Sequence, residues 1–260
     1  MLRGLYTGWT GMVNEQNRMD VLTNNLANVS TVGYKKEGTT SQAFDDVLTV
    51  KLKDASVGLQ TIQRTGIRNP GVKIGENYVD YRQGSFRETG NTYDLALSGD
   101  GFFAIEFTNK AGETSTMFTR AGQFTLNREG YLVTEEGDYL LDTQNRRIQL
   151  DTLTDTDITK DGRISQDGRE IAQIQVADFE DYDYLERYGE TYFRPLEGAR
   201  QIEGTATINS GWLEMANVQT VSEMVNLIAI TRAYEANQKI IQAYDDSLEI
   251  AVTQLGRVSG

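Results

Sequence analysis

The chain has 260 residues, of which 38% are hydrophobic and 24% are charged, and its formal net charge is −13. This charge argues against a nucleic-acid partner, because binding to a phosphate backbone depends mainly on clustered Lys and Arg. No run of about 18 apolar residues is present, so no transmembrane segment is expected. Neither Cys nor His occurs, which excludes disulfides, thiolate or imidazole metal sites and a His general base. The composition therefore predicts a protein that is not an enzyme and has no cofactor or metal.

The N-terminal residues predict a helix with a heptad seam. The apolar residues that form this seam are spaced three and four apart, with two polar interruptions: Leu2, Leu5, Trp9, Met12, Met19 and Leu26. Gly4, Gly8 and Gly11 each cost roughly 1 kcal/mol of helix propensity relative to Ala. We therefore expect this helix to need a partner, and the turn-favouring run from Asn24 to Gly33 to end it.

The C-terminal residues predict a second, longer helix, from about Asn217 as a plausible N-cap to about Val258. Its seam repeats the same spacing: Ile230, Tyr234, Asn237, Ile241, Tyr244, Leu248, Ala251, Leu255 and Val258. A broader apolar face precedes the seam: Val218, Val221, Met224, Val225, Leu227 and Ile228. A helix of about 40 residues is about 60 Å long, which favours a coiled coil or a bundle over packing on the chain's own core. We expect the two terminal helices to pair and to leave apolar surface for other molecules.

The middle of the chain predicts β structure. Gly and Pro recur along residues 34–80, which predicts an extended connector with short strands. Residues 81–205 carry short apolar runs with turn signals every 8 to 12 residues, which predicts an all-β domain. The predicted fold class is thus mixed α and β, segregated: a terminal helix over 1–33, a connector, a β domain, and a return segment with the long helix over 206–260.

Two acidic regions were considered as sites. An EF-hand loop placed at Asp157 has Asp161 and Gly162 in suitable positions but Gly168 where a bidentate Glu is required, so turns between strands are the better interpretation. The acidic and aromatic run from Asp178 to Tyr192 could hold a carboxylate pair for a sugar, but no spacing singles out such a pair. We interpret that run as a solvated strand-loop edge, and keep a secreted carbohydrate-binding or carbohydrate-cleaving protein as the alternative function.

Several segments, in chain order, resemble the bacterial flagellar rod and hook proteins. At the N-terminus these are Met1-Leu2-Arg3-Gly4-Leu5-Tyr6 and Asn24-Asn25-Leu26-Ala27-Asn28-Val29-Ser30-Thr31-Val32-Gly33-Tyr34-Lys35-Lys36. In the middle they are Gly84-Ser85-Phe86-Arg87-Glu88-Thr89-Gly90, Gly99-Asp100-Gly101-Phe102-Phe103 and Phe118-Thr119-Arg120-Ala121-Gly122-Gln123-Phe124. At the C-terminus they are Asn217-Val218, Glu223-Met224-Val225 and Arg232-Ala233-Tyr234-Glu235-Ala236-Asn237-Gln238-Lys239.

This resemblance implies a structural subunit that polymerises through its terminal helices into a hollow axial shaft for torque transmission and export. The implied partners are copies of the chain, other flagellar axial proteins and the flagellar export apparatus. The implied location is the basal body, outside the cytoplasmic membrane, reached without a cleavable signal peptide. The length favours the rod subunits over the longer hook subunit, and the Arg232–Lys239 match favours the distal rod protein, with the proximal one as the alternative.

The assembly surface that we expect is formed by the apolar residues of both helices. On the first helix these are Leu5, Trp9, Met12, Met19 and Leu26. On the second they are Val221, Val225, Ile228, Ile230, Tyr234, Ile241, Tyr244, Leu248 and Leu255.

Overall fold

The computed structural model describes residues 2–51, 63–110 and 112–257. Over these residues the chain forms two α-helices, one 3-10 turn (Tyr182–Tyr184) and twenty strands. Helix α1 spans Leu2–Ala27, helix α2 spans Thr220–Arg257, and all of the strands lie between them. The predicted segregation of helices at the ends and β structure in the middle is therefore confirmed.

The strands follow one another closely along the chain. The first ten are β1 (Lys36–Ala43), β2 (Val47–Lys51), β3 (Gln63–Arg68), β4 (Val72–Asp80), β5 (Phe86–Glu88), β6 (Leu95–Ser98), β7 (Phe102–Thr108), β8 (Thr114–Thr119), β9 (Phe124–Leu126) and β10 (Leu132–Thr134). The others are β11 (Tyr139–Leu140), β12 (Thr156–Ile158), β13 (Arg163–Gln166), β14 (Arg169–Gln173), β15 (Val176–Phe179), β16 (Leu185–Tyr188), β17 (Tyr192–Pro195), β18 (Gln201–Glu203), β19 (Thr207–Ser210) and β20 (Trp212–Glu214).

The chain divides into two compact units. The helical unit comprises residues 1–26, 37–79 and 220–260, and the β unit comprises residues 27–36 and 80–219. The helical unit thus contains both helices together with β1 to β4, where β1 pairs with β4 and β2 pairs with β3.

The β unit is built around strand β7. Its residues from Phe102 to Ile105 are all buried, as expected of a central strand with sheet neighbours on both edges and side chains packed on both faces. Strand β7 pairs with β8, β11 and β15 in a sheet of order β16-β17-β8-β7-β11-β10-β9, and β18 joins through β15. Strands β12 to β14 form a smaller sheet, while β19 pairs with β6 and β20 with β5. The apolar core of the β unit includes Leu95, Leu97, Phe103, Ile105, Phe124, Leu140 and Ile164.

The predicted turns of the β region are present. Val133 pairs with Tyr139 across a hairpin that is closed by the Thr134 N–H donating to the Asp138 carbonyl oxygen at 2.8 Å. Asp161 and Gly162 lie in the turn between β12 and β13. The interpretation of the Asp-Gly pairs as turns between strands is therefore confirmed.

One sequence-based interpretation was wrong, and another holds only in part. Asn217 does not cap α2, which begins three residues later at Thr220, because the Asn217 amide is used elsewhere in the β unit, as described below. The run from Asp178 to Tyr192 is not simply a solvated edge: the Tyr182 ring lies 4.8 Å from that of Tyr81, and the Tyr192 hydroxyl donates to Asp138 Oδ2 at 2.8 Å. Tyr192 is buried and Tyr182 is half-buried, and alternation of acidic and aromatic residues alone does not reveal such packing.

Candidate assembly interface

Glycines on α1 make the contact between the two terminal helices within the helical unit. A Cβ placed on Gly8 would lie 3.3 Å from Ile241 Cγ1, and one placed on Gly11 would lie 3.0 Å from Asn237 Nδ2. Because glycine has no side chain, the α1 backbone comes close to the side chains of α2 at these points. The glycines therefore have a packing role, whereas helix propensity alone predicts only that they weaken the helix.

The contact runs in opposite directions along the two helices. Gly4 faces Tyr244, where an added Cβ would collide with the phenol ring, and Gly11 faces Asn237. As the residue number increases along α1, the number of the contacting residue on α2 decreases, so the two helices are antiparallel here. Tyr244, Ile241 and Asn237 all belong to the predicted α2 seam, and each lies half-buried.

Other parts of the helical unit hold α1 by polar contacts. The Thr7 hydroxyl donates to the Pro70 carbonyl oxygen at 3.2 Å, and Asn14 Nδ2 donates to Ser41 Oγ at 3.0 Å. These contacts give α1 neighbours in β1 and in the turn before β4, in addition to its contact with α2.

The expected assembly residues differ widely in exposure. Those that are half-buried are Leu5, Met12, Met19 and Leu26 on α1 and Tyr234, Ile241, Tyr244 and Leu248 on α2. Ile230 is buried, and the side chain of Leu255 lies outside the described residues. Those that are exposed are Trp9 at 48%, Val221 at 76%, Val225 at 60% and Ile228 at 55%.

The exposed residues form apolar surface at two places on the helices. On α1 the ring of Trp9 lies 5.7 Å from that of Tyr6, which is also exposed. On α2 the residues Val221, Val225 and Ile228 share one face, because residues three and four apart are neighbours on a helix. Apolar surface concentrated in this way is typical of a site of protein association.

The family-motif residues lie at the end of α1, just after it, and in the middle of α2. Asn25 is fully buried, and its side chain donates to the Glu37 carbonyl oxygen at 2.7 Å and accepts from the Glu37 N–H at 2.9 Å. Such a reciprocal pair holds the end of α1 beside the start of β1. The remaining motif residues are Asn24, which is exposed, Leu26, Ala27, Asn28, Gly33 and Tyr34, and on α2 Arg232, Ala233, Tyr234 and Glu235.

One buried charge cluster in the β unit was not anticipated. Lys35 Nζ lies 2.7 Å from Glu214 Oε1, and Arg120 Nη1 lies 3.3 Å from Glu214 Oε2. The three side chains are 1–3% exposed. Burial lowers the pKa of Lys35, while the Glu214 carboxylate opposes that shift. Lys35 and Arg120 occur inside the motif segments quoted above, but hydropathy patterns do not predict a buried Lys.

Neither acidic region brings together a metal site. Within the described residues, no group of three Asp or Glu side chains is placed to hold a metal ion. Over the same part of the chain, no helix combines the length and the hydropathy that crossing a membrane requires.

The fold and the helix contact define a protein whose two ends meet in one helical unit and whose middle forms a β unit. Three family models match this chain in order. The model described as "Flagella basal body rod protein" matches residues 5–35, "Flagellar hook protein FlgE/F/G D1 domain" matches residues 96–167, and "Flagellar basal body rod FlgEFG protein C-terminal" matches residues 209–255.

Full-length relatives agree with these matches. The flagellar basal-body rod protein FlgG of Bacillus subtilis is 34% identical over 96% of this chain and 97% of its own length. The flagellar basal-body rod protein FlgF of Caulobacter vibrioides is 31% identical over the whole of both chains. FlgG of the same organism is 34% identical over 98% of this chain and 99% of its own length. The chain belongs to the family of flagellar basal-body rod proteins.

Proposed function

We propose that this protein is a structural subunit of the bacterial flagellar basal-body rod and polymerises through its terminal helices into a hollow axial shaft. The observation that carries the proposal is the combination of family membership with the apolar surface that α1 and α2 leave exposed. That surface includes Trp9, Val221, Val225 and Ile228. In a polymer, burying this surface against neighbouring copies would supply the association free energy.

The antiparallel contact of α1 with α2 supports a coiled-coil-like pairing of the chain's two ends. The seam side chains Asn237, Ile241 and Tyr244 already lie against α1, which leaves the exposed apolar residues to meet other molecules. Those molecules are copies of this chain and other flagellar axial proteins. The same proposal includes export through the flagellar secretion apparatus, location in the basal body and the transmission of torque by the shaft.

We propose two finer points on the basis of the sequence, the division of the chain into regions and the rod subtype. The chain is expected to act as a first terminal segment over 1–33, whose helix α1 ends at Ala27, a connector over 34–80, a β domain over 81–205 and a return segment with the long helix over 206–260. Relatives named FlgG and FlgF match at 34% and 31% identity. The Arg232–Lys239 segment favours the distal rod protein, and the proximal rod protein is the alternative. None of the relatives described above is named as a carbohydrate-binding or carbohydrate-cleaving protein.

Substitution of Ile241 tests the role of the helices. Ile241→Asp would place a charge in the contact with Gly8, at a cost of several kcal/mol if the site is dry. We expect sedimentation to show loss of polymer while the β-sheet circular-dichroism signal is retained. The matched control is Ile171→Asp on β14, where the side chain is 43% exposed, and it should assemble normally. Normal assembly of Ile241→Asp would show that polymer formation does not need the contact between α1 and α2.

The competing class, a carbohydrate-binding or carbohydrate-cleaving protein, makes a different prediction for truncation. Deletion of residues 1–28 and 217–260 should abolish polymer formation by a rod subunit. A binding module or an enzyme whose site lies in the β domain should keep its activity toward a glycan after the same deletion.

A further inference from the structure

The segment that follows α1 is attached to the β unit without being part of a sheet. Residues 28–35, which we call the strap, lie between the end of α1 and the start of β1 and belong to no strand. The Gly33 N–H donates to the Glu214 carbonyl oxygen at 2.7 Å, and the Asn217 N–H donates to the Tyr34 carbonyl oxygen at 3.4 Å. Tyr34 itself is fully buried in a small apolar cluster that is separate from the main core. The strap therefore depends on a few discrete contacts.

The buried charge cluster is one of these contacts. Glu214 is the carboxylate that both Lys35 and Arg120 contact, and its Oε1 also accepts from the Gly84 N–H at 2.9 Å. Lys35 Nζ donates in addition to the Arg82 carbonyl oxygen at 2.9 Å. Since an unpaired buried charge is costly, Lys35 is held in its buried position by the Glu214 carboxylate.

The cluster is also incompletely satisfied. Two cationic side chains share the Glu214 carboxylate, and Arg120 Nε is buried with no hydrogen-bond partner among the described residues. Each buried polar group without a partner retains its desolvation penalty. The cluster therefore contributes less free energy to holding the strap than its short distances alone suggest.

Asn217 ties the strap to two further segments of the β unit. Its Oδ1 accepts at 2.7 Å from the N–H of Lys36, the first residue after the strap, while its Nδ2 donates to the carbonyl oxygens of Asp80 at 2.7 Å and Arg82 at 3.0 Å. The same side chain thus joins the chain just after the strap, the start of the β unit's main segment and the chain just before α2. These three places are where the chain passes between the β unit and the elements of the helical unit.

The core of the β unit is held in a different way. Strands β7 and β8 pair over six residues, from Phe103 with Thr119 to Thr108 with Thr114, and the buried part of β7 lies in the apolar core. A backbone ladder over a packed core opens only at a large free-energy cost, whereas a segment held by a few side chains can open locally.

We propose that the strap is a latched element that opens as one unit, independently of the β core, and that the Lys35–Glu214–Arg120 cluster together with Asn217 forms its latch. Opening the latch frees in one step the chain that leads out of α1 and the chain that leads into α2. This conformational device goes beyond the role of a rod subunit and does not depend on polymer formation.

Hydrogen exchange of the full chain, read by mass spectrometry, tests the latch. Glu214→Gln keeps the shape of the side chain but leaves Lys35 and Arg120 without their counter-charge. We expect exchange in peptides over 28–35 and 212–217 to accelerate by about tenfold or more, with β7 and β8 unchanged. The control is Glu186→Gln, which removes a carboxylate from the exposed pair with Arg194 and should exchange like the unchanged protein.

Three results would overturn the proposal. Unchanged exchange of the strap in Glu214→Gln would show that the cluster does not hold it. Equal acceleration of β7 and β8 would show that the strap opens only when the whole unit unfolds. Faster hydrogen exchange of the strap in Glu186→Gln would show that loss of any carboxylate has the same effect. If Glu214→Gln does not fold, Asn217→Ala, which removes three hydrogen bonds without changing charge, decides by the same comparison.

Discussion

At the scale of single residues, Gly33 is a position that the fold requires to be glycine. Its φ is +69°, and an added Cβ would collide with the backbone N of Ala121. A side chain there meets two obstacles at once, because the left-handed conformation is unfavourable for other residues and the neighbouring atoms are backbone that cannot rotate away. The close approach of Gly33 to the backbone of Ala121 thus explains the glycine in the motif segment.

We expect Gly33→Ala to lower the free energy of unfolding of the β unit by about 3 kcal/mol or more, adding overpacking to conformational strain. Gly90 is the matched control, since its φ is +72° and nothing lies within 4 Å of an added Cβ. Gly90→Ala should cost only about 1–2 kcal/mol. Urea denaturation measures both, and equal losses would show that the contact with Ala121 is unimportant.

The aromatic cluster that Tyr81 forms with Phe102, Tyr182 and Phe193 should be visible in an alkaline titration. Burial raises the pKa of Tyr81 from 10.0 to about 12, because desolvation disfavours the phenolate. The folded state therefore keeps this proton longer than the unfolded state does. The stability that Tyr81 contributes is fully present below pH 10 and is lost as the pH rises through about 12.

Absorbance at the tyrosinate band measures this titration. The difference between the unchanged protein and Tyr81→Phe should show a midpoint at about pH 12. A midpoint at the ordinary tyrosine pKa would mean that the ring is solvated and that the cluster is wrongly assigned.

At the scale of elements, the glycine face of α1 makes a prediction that can be tested in the monomer. Gly8→Leu would force a side chain into the space beside Ile241, and overpacking costs about 1–3 kcal/mol. Circular dichroism at the helical minimum reports mainly on α1 and α2, because the β unit contains no α-helix among its described residues. We expect this signal to be lost at a lower temperature in Gly8→Leu.

Gln16→Leu on the same helix is the control for that substitution. Gln16 is exposed, and substitutions at such positions usually change stability by less than about 0.5 kcal/mol. Identical melting of the two variants would show that Gly8 does not lie against α2.

The elements also show which features of the chain could be predicted from its sequence. Both helices and the hairpin from Val133 to Tyr139 follow from local spacing and turn residues, which act over a few positions. The positions of Lys35 and Glu214 could not be predicted, since they meet across 179 residues of chain. Asn217 illustrates the same limit, because a residue suited to capping a helix instead binds distant backbone groups.

At the scale of the whole molecule, the charge and the helices have complementary roles. In the polymer that we propose, repulsion between subunits that each carry a net charge of −13 would oppose premature association. Burial of apolar surface is not screened by salt in the way that exposed ion pairs are. A polymer held by α1 and α2 should therefore persist at moderate ionic strength, where added salt also weakens repulsion between subunits.

Electron microscopy of the purified full chain, concentrated at moderate salt, tests the central claim most directly. A rod subunit that associates through its helical ends should form hollow tubes of uniform diameter, and Ile241→Asp should leave only separate subunits. A chain that stays monomeric at every concentration and salt, or that forms tubes equally well with Asp at position 241, would contradict the account.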